Sequence, residues 1–299
     1  MLRQRVFTAM ALLAVLLPAL FHPRPLVFVV VTLVLIAAAA WEWGRLNGVA
    51  ANLALGMGLF SLLVCGMVWW PDWIHGAPSV APLQAGGAWP QEMARAWASL
   101  WLISGAAWVV VGAWLLRRGV AGWPSVPRWV RLALGLTALG IAWLAMAHAR
   151  LVGINFLLSL LVLVWVADIG AYAFGRSMGR HKLAPTISPG KSWEGVLGGM
   201  LCAVALAFMW RWLDTLWEPD SESLYTRLSA HSTTAMLLAV VLLAGMSVVG
   251  DLTESLVKRS AGSKDSSRLL PGHGGVLDRI DALLPTLPLS LALLVALGV

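Results

Sequence analysis

Charge is what this sequence has least of. Only 12% of its 299 residues are Asp, Glu, Lys or Arg, whereas a soluble domain carries about a quarter, so a water-facing globular fold is excluded. Cysteine is nearly absent. Cys65 and Cys202 both fall inside apolar runs, which rules out a disulfide framework and leaves each thiol behaving as a small hydrophobe. Acidic residues are few, 14 against 21 Lys and Arg, but the resulting net charge of +7 is not gathered on one soluble face or helix, as nucleic-acid binding requires. The cations sit between apolar stretches, so nucleic acid is not an expected partner. An internal repeat is also lacking, which argues against a transporter built from repeated halves.

What remains is apolar: 60% of residues are hydrophobic and the mean hydropathy is +0.81. A membrane span needs about 20 mainly apolar residues, and nine such stretches can be placed, at roughly 6 to 21, 26 to 43, 49 to 71, 96 to 116, 129 to 149, 151 to 174, 195 to 213, 234 to 251 and 283 to 299. The expected fold is all-α, a polytopic integral membrane protein with about nine transmembrane helices. Arg3 and Arg5 precede the first apolar run in the manner of a secretory leader. No small-x-small site follows that run and a second begins at once, so it reads as the first span. Trp41, Trp43, Trp69, Trp70 and Trp129 near span ends read as interfacial anchors.

Basic loops mark the cytoplasmic side. Arg117, Arg118, Arg128 and Arg131 share one loop, Arg176, Arg180, Lys182 and Lys191 the next, and Lys258, Arg259, Lys264, Arg268 and Arg279 the last, while Asp214, Glu218, Asp220 and Glu222 lie between spans on the other side. This pattern predicts a cytoplasmic N-terminus. Residues 1 to 150 are mostly apolar spans joined by short loops and one Pro/Gly-rich loop, Pro71 to Pro90, and read as a scaffold with a lipid or dimer surface; residues 151 to 299 carry the polar chemistry and read as the catalytic half.

Asp168 stands near the end of an apolar run. A carboxylate at membrane depth is a functional candidate by default; a snorkelling residue at the boundary is the other reading. From Gly175 to Gly195, Gly and Pro interrupt any helix while Arg176, Arg180, Lys182 and Lys191 supply cations. Such a loop can wrap polyphosphate or rest on anionic headgroups. Gly190-Lys191-Ser192 is not a Walker A loop, because Pro185 stands where that motif needs glycine.

The densest constellation runs from Gly250 to Asp281. Asp251 and Glu254 are three residues apart on an expected helix, and Asp278 and Asp281 repeat the spacing after a Gly272-His273-Gly274-Gly275 turn, so each pair shares one helical face. Carboxylate pairs among lysines and arginines suit Mg²⁺ and phosphate, since Mg²⁺ is typically held by one or two carboxylates together with substrate phosphates. Gly274 and Gly275 would let backbone approach a phosphate closely. His273 reads either as a general base or as a brace for the turn; a phosphate nucleophile, largely dianionic at neutral pH, needs no base.

Ser255-x-Val257-Lys258-Arg259, Lys264-Asp265 and Pro271-x-His273-Gly274-Gly275-Val276-x-Asp278-Arg279-Ile280-Asp281 resemble the signature of the phosphatidate cytidylyltransferase family. Gly250-Asp251-Leu252-x-Glu254-Ser255, Asp168-x-x-Ala171-Tyr172 and Ile187-Ser188-Pro189-Gly190-Lys191-Ser192 extend the resemblance, which covers roughly residues 165 to 285. It implies CTP as cytidylyl donor, phosphatidic acid as acceptor drawn from the membrane lipids, pyrophosphate as second product, Mg²⁺ (with Mn²⁺ as substitute), a homodimer, and a bacterial inner membrane location with the site facing the cytoplasm. It further implies Asp251, Asp278 and Asp281 as metal ligands and Lys258, Arg259 and Lys264 as phosphate contacts; Lys191, Ser188, Ser192, His273, Gly274, Gly275, Arg279 and Asp168 are the further candidates for substrate binding. Two rivals stay open: a CTP-dependent lipid-alcohol kinase, which would release CDP, and a transporter.

Overall fold

A computed structural model describes residues 2–74 and 91–299. Most of the Pro71 to Pro90 loop and the side chains of Trp69 and Trp70 therefore fall outside the described part. The chain is helical: α1 (Leu2–Phe21), α2 (Pro25–Leu46), α3 (Ala51–Ile74), α4 (Gln91–Gly122), α5 (Arg128–Val152) and α6 (Ile154–Met178) precede a small hairpin of β1 (Lys182–Ala184) and β2 (Ser188–Ser192). Then come α7 (Trp193–Trp217), α8 (Leu224–His231), α9 (Thr233–Ser260), the short α10 (Leu277–Ile280) and α11 (Leu283–Leu297). The boundaries follow local chemistry. Pro25 occupies the start of α2, where its missing N–H costs nothing; Ser192 caps α7 and Ser232 caps α9, each accepting a backbone N–H three residues on.

Among the described residues eight helices are long and apolar enough to cross a membrane. The ninth expected stretch is the apolar part of α1, Val6–Phe21, which is shorter. The last span begins earlier than hydropathy alone placed it, at Leu277, because Asp281 and Ala282 keep helical dihedrals and join α10 to α11. Large apolar side chains such as Phe7, Leu63, Ile103, Val110 and Trp212 are exposed, as lipid-facing side chains are. Trp43 departs from the interfacial reading. It is buried, donates from Nε1 to the Arg131 carbonyl at 2.9 Å, and packs where Gly135 leaves no room for a side chain.

Two features position the site. Helices α6 and α7 pack at glycine distance: a Cβ at Gly195 would stand 2.7 Å from the Ala171 carbonyl, and one at Gly199 would stand 2.5 Å from that of Ala167. This small-residue seam is how apolar helices associate when lipid removes the hydrophobic drive between them. It presents the hairpin, which leads into α7, against α6 and α9. Second, α9 meets the start of α11 at Gly250, whose α-carbon packs on the Asp281 carbonyl and the Pro285 ring. Asp251 is thereby brought beside Asp281.

Candidate active site

The hairpin delivers Lys191 to α9. Lys182 pairs with Ser192 and Ala184 with Ser188 across the two strands, and Glu194 on the first turn of α7 closes the loop by accepting the N–H groups of Arg180 and His181 and binding the His181 ring at 2.6 Å. Lys191 Nζ lies 2.5 Å from Asp251 Oδ2. Arg259 Nε reaches the Ile187 carbonyl at 3.5 Å, a second tie between α9 and the hairpin. Asp168 on α6 interacts electrostatically with both Lys191 and Asp251, so its position in an apolar run places it at this site.

Two helical turns beyond Asp251, Lys258 is buried between two carboxylates. Its Nζ stands 2.5 Å from Glu254 Oε2 and 2.6 Å from Asp278 Oδ1. Asp278 is saturated: Oδ2 also accepts from Ser266 N (3.0 Å), Ser266 Oγ (3.0 Å) and Gly275 N (2.7 Å), the last a reach back to the helix start of the kind seen in capping boxes. Asp281 accepts from Ala282 N at 2.7 Å and lies in electrostatic range of Asp251 and Glu254. Glu254 is buried, set between Lys258 and the Asp281 carboxyl.

The turn before α10 is shaped by left-handed Gly272 (φ 76°) and Gly274 (φ 84°), conformations that favour glycine. His273 N donates to Leu270 O and Leu270 N to Gly274 O, both at 2.8 Å, and Arg279 donates to the His273 carbonyl from Nε at 3.1 Å. Glu42, from α2, lies beneath this turn. Fully buried, it accepts from Ser266 Oγ (3.1 Å), Ser267 Oγ (2.5 Å), Val276 N (3.0 Å) and Leu277 N (2.7 Å).

The other expected site residues are placed as follows. Asp251, Asp278 and Asp281 are not gathered as three free carboxylates, and among the described residues no group of three His, Cys, Asp or Glu is close enough to hold a metal ion as it stands. Residues three apart on a helix differ by about 60° in direction at roughly 100° per residue, and Asp278 turns back to its own helix start while Asp281 turns to α9. Lys258, expected at a phosphate, is ion-paired to Glu254 and Asp278. Ser192 spends its oxygen on Gly195 N; Ser188 sits half-buried in β2. Gly275 lacks a side chain because Ser266 and Glu42 fill the space that one would take, and Gly274 because Asp278 does. His273 has no donor or acceptor at its buried Nδ1, so its backbone, not its ring, holds the turn. Lys264 and Arg279 remain exposed.

Sequence reasoning passed over Glu42. The signal was present: it is a lone carboxylate in an apolar span, the criterion that picked out Asp168.

Two cavities of opposite character lie on different sides of this cluster. A polar one of about 640 Å³ is lined by Lys264, Arg268, His273, Arg279 and, from α1, Gln4. An apolar one of about 280 Å³ lies between α4 and α5, lined by Trp108, Trp123 and Trp129, and reaches Thr253 and Glu254 of α9. The ion-paired series Glu254, Lys258, Asp278 joins the wall of the apolar cavity to the turn that walls the polar one. The donor set is oxygen only, and four carboxylates (Asp251, Glu254, Asp278, Asp281) share two lysines. Carboxylates in excess of their counter-ions fit a hard divalent cation such as Mg²⁺.

Residues 3–297 match the profile of the cytidylyltransferase family. The chain is 37% identical over 302 residues to a protein of Pseudomonas aeruginosa named phosphatidate cytidylyltransferase, covering 100% of this chain and 98% of that one. A Haemophilus influenzae protein of the same name is 34% identical over 304 residues, with 96% of each chain covered. A Staphylococcus epidermidis protein of that name is 39% identical over 163 residues, 54% of this chain and 57% of the relative.

Proposed function

The chain belongs to the cytidylyltransferase family, and from that premise we propose that it transfers the cytidylyl group of CTP to phosphatidic acid, giving CDP-diacylglycerol and pyrophosphate. The observation that carries this reading is the cluster of carboxylates that outnumber their lysines, with a cation-rimmed polar cavity beyond the glycine turn on one side and an apolar cavity of the helical bundle reaching Glu254 on the other. A water-soluble triphosphate suits the first and an acyl chain the second.

The reaction is an in-line displacement at the α-phosphorus. A phosphatidate oxygen forms the new P–O bond while the bond to the β-phosphate bridging oxygen breaks, and pyrophosphate leaves with that electron pair. No covalent enzyme intermediate is required, so positioning and charge neutralisation dominate. Lys264 and Arg268 on the cavity wall, and Lys191 once it exchanges Asp251 for phosphate, neutralise the triphosphate and the leaving group. Asp251 and Asp281, together with substrate phosphate oxygens, would hold Mg²⁺; Asp278 would join only by giving up Lys258 or its turn contacts. When bound, the ion would neutralise phosphate oxygens that these carboxylates would otherwise repel.

The basic loops further support a cytoplasmic site in a bacterial inner membrane. Cysteines placed at Ser188 and Ser267 should resist an impermeant thiol reagent applied to intact cells, while one at Glu218 should react; labelling at Ser188 would overturn that orientation. A homodimer is proposed with it, to be tested by the mass of the purified protein in a lipid disc. The decisive assay is purified protein with labelled CTP, Mg²⁺ and phosphatidic acid: pyrophosphate and CDP-diacylglycerol are expected, CDP release on a lipid alcohol would indicate a kinase, and solute flux without nucleotide a transporter.

A further inference from the structure

Glu42 is the one carboxylate of α2, a helix otherwise apolar except for Arg45 at its end, and it makes no hydrophobic use of its burial. Both of its oxygens take one serine hydroxyl and one backbone N–H: Oε1 from Ser267 and Val276, Oε2 from Ser266 and Leu277. The two N–H groups are donors at the start of the last membrane helix, where a negative group is favoured by the helix dipole. The two serines lie in the preceding loop. Glu42 thus clamps the loop on one side and the helix start on the other, and it fixes the length of turn between them.

From there contacts run on to the carboxylate cluster. Ser266 Oγ is 3.0 Å from Asp278 Oδ2, Asp278 Oδ1 is 2.6 Å from Lys258, and Lys258 is 2.5 Å from Glu254. A hydroxyl has one proton, so Ser266 can donate to Glu42 or to Asp278 but not to both. The two carboxylates therefore share that hydroxyl, and a change at Glu42 alters what Asp278 receives.

We propose that Glu42 is a positioning residue for the transfer reaction: it sets the register of the 266–277 turn and, through Ser266 and Asp278, the place of Lys258 against the α9 carboxylates. This rests on the function proposed above. It touches no substrate, and its effect should fall on turnover.

Glu42→Gln is the diagnostic variant. An amide has one acceptor oxygen, and whichever way it turns, its NH₂ confronts either Val276 N–H or Leu277 N–H. The serines can rotate to accept; the backbone cannot. Turnover should fall by roughly tenfold or more, with the Michaelis constants for CTP and phosphatidate within about threefold of wild type. Amide hydrogen exchange at Val276 and Leu277 should quicken by roughly tenfold, with Leu252 and Thr253 unchanged. In a double-mutant cycle, Glu42→Gln and Ser266→Ala should be non-additive. Wild-type turnover in Glu42→Gln overturns the proposal, as does a turnover loss with unchanged exchange at Val276 and Leu277. Should Glu42→Gln fail to fold, Ser267→Ala removes a single donor and carries the same decision with a smaller change of the same sign. If wild-type protein makes no CDP-diacylglycerol, the functional reading fails while the exchange arm still decides whether Glu42 holds the turn.

Discussion

The two ends of α6, α7 and α9 use the same materials to different purpose. At one end the helices start or stop around Asn155, Asp214, Asp220 and Ser221. Asn155 Nδ2 donates to Asp214 (2.9 Å) and to the Ser221 carbonyl (2.7 Å), its Oδ1 accepts from Trp210 (3.0 Å), Asp214 also takes Ser223 N and the Thr226 hydroxyl, and Asp220 caps α6 through Ile154 N and Asn155 N. Each carboxylate there faces donors. At the other end Asp281 stands against both Asp251 and Glu254, with Lys191 and Lys258 interposed. A satisfied polar network is a staple. Carboxylates set against one another are held at a cost in stability, an arrangement expected where a charged ligand binds.

The contrast breaks most readily at the carboxylates. Asp251→Asn and Asp281→Asn should each lower turnover by about a hundredfold or more, since each removes charge but not shape from one shared unit, and the double variant should cost little beyond either single. Thermal stability in detergent should hold or rise, because repulsion is relieved. A near-normal Asp281→Asn at limiting Mg²⁺, or losses that multiply in the double, would falsify the shared site. Next in size comes Lys191→Ala. It should raise the CTP or phosphatidate requirement, or lower turnover, by roughly tenfold with membrane insertion intact; an unchanged enzyme would leave Lys191 as an ion-pair partner of Asp251 and no more.

Much of the acidic end was legible because its chemistry is local. Asp251 and Glu254 share one helix, Asp278 and Asp281 share another, and glycine between them announces a turn. Eight helices long enough to span were legible from hydropathy alone. What pattern could not give was direction. The Asp278 carboxylate goes to Ser266 and Gly275 because left-handed Gly272 and Gly274 bring that loop back over the helix start, a path set by dihedral angles that no spacing records. Glu42 is joined to its partners across more than two hundred residues, so nothing near it in sequence says what it holds, although its solitude in an apolar helix was itself a sign.

At the stapled end the effects should be on stability and smaller. Asn155→Ala strips partners from Asp214, the Ser221 carbonyl and Trp210 together, and leaving such groups unpaired costs about 1–3 kcal/mol, seen as a lower melting temperature in detergent with turnover of the folded fraction within about twofold.

The least change should come from Asp220→Asn. Its two oxygens receive the first N–H groups of α6, Ile154 at 2.6 Å and Asn155 at 3.0 Å, and it is exposed. Asparagine keeps one acceptor and the capping preference but loses the charge, so what is lost is the attraction between a carboxylate and a helix N-terminus, about 0.3–1 kcal/mol at an exposed site and screened by salt. Melting in low salt should therefore show a small drop that shrinks as salt rises, and turnover should stay at the wild-type value. Should Asp220→Asn instead depress turnover tenfold while leaving melting untouched, the end of the molecule that is fully hydrogen-bonded would be chemically engaged after all, and hydrogen-bond satisfaction would no longer separate staple from site in this protein.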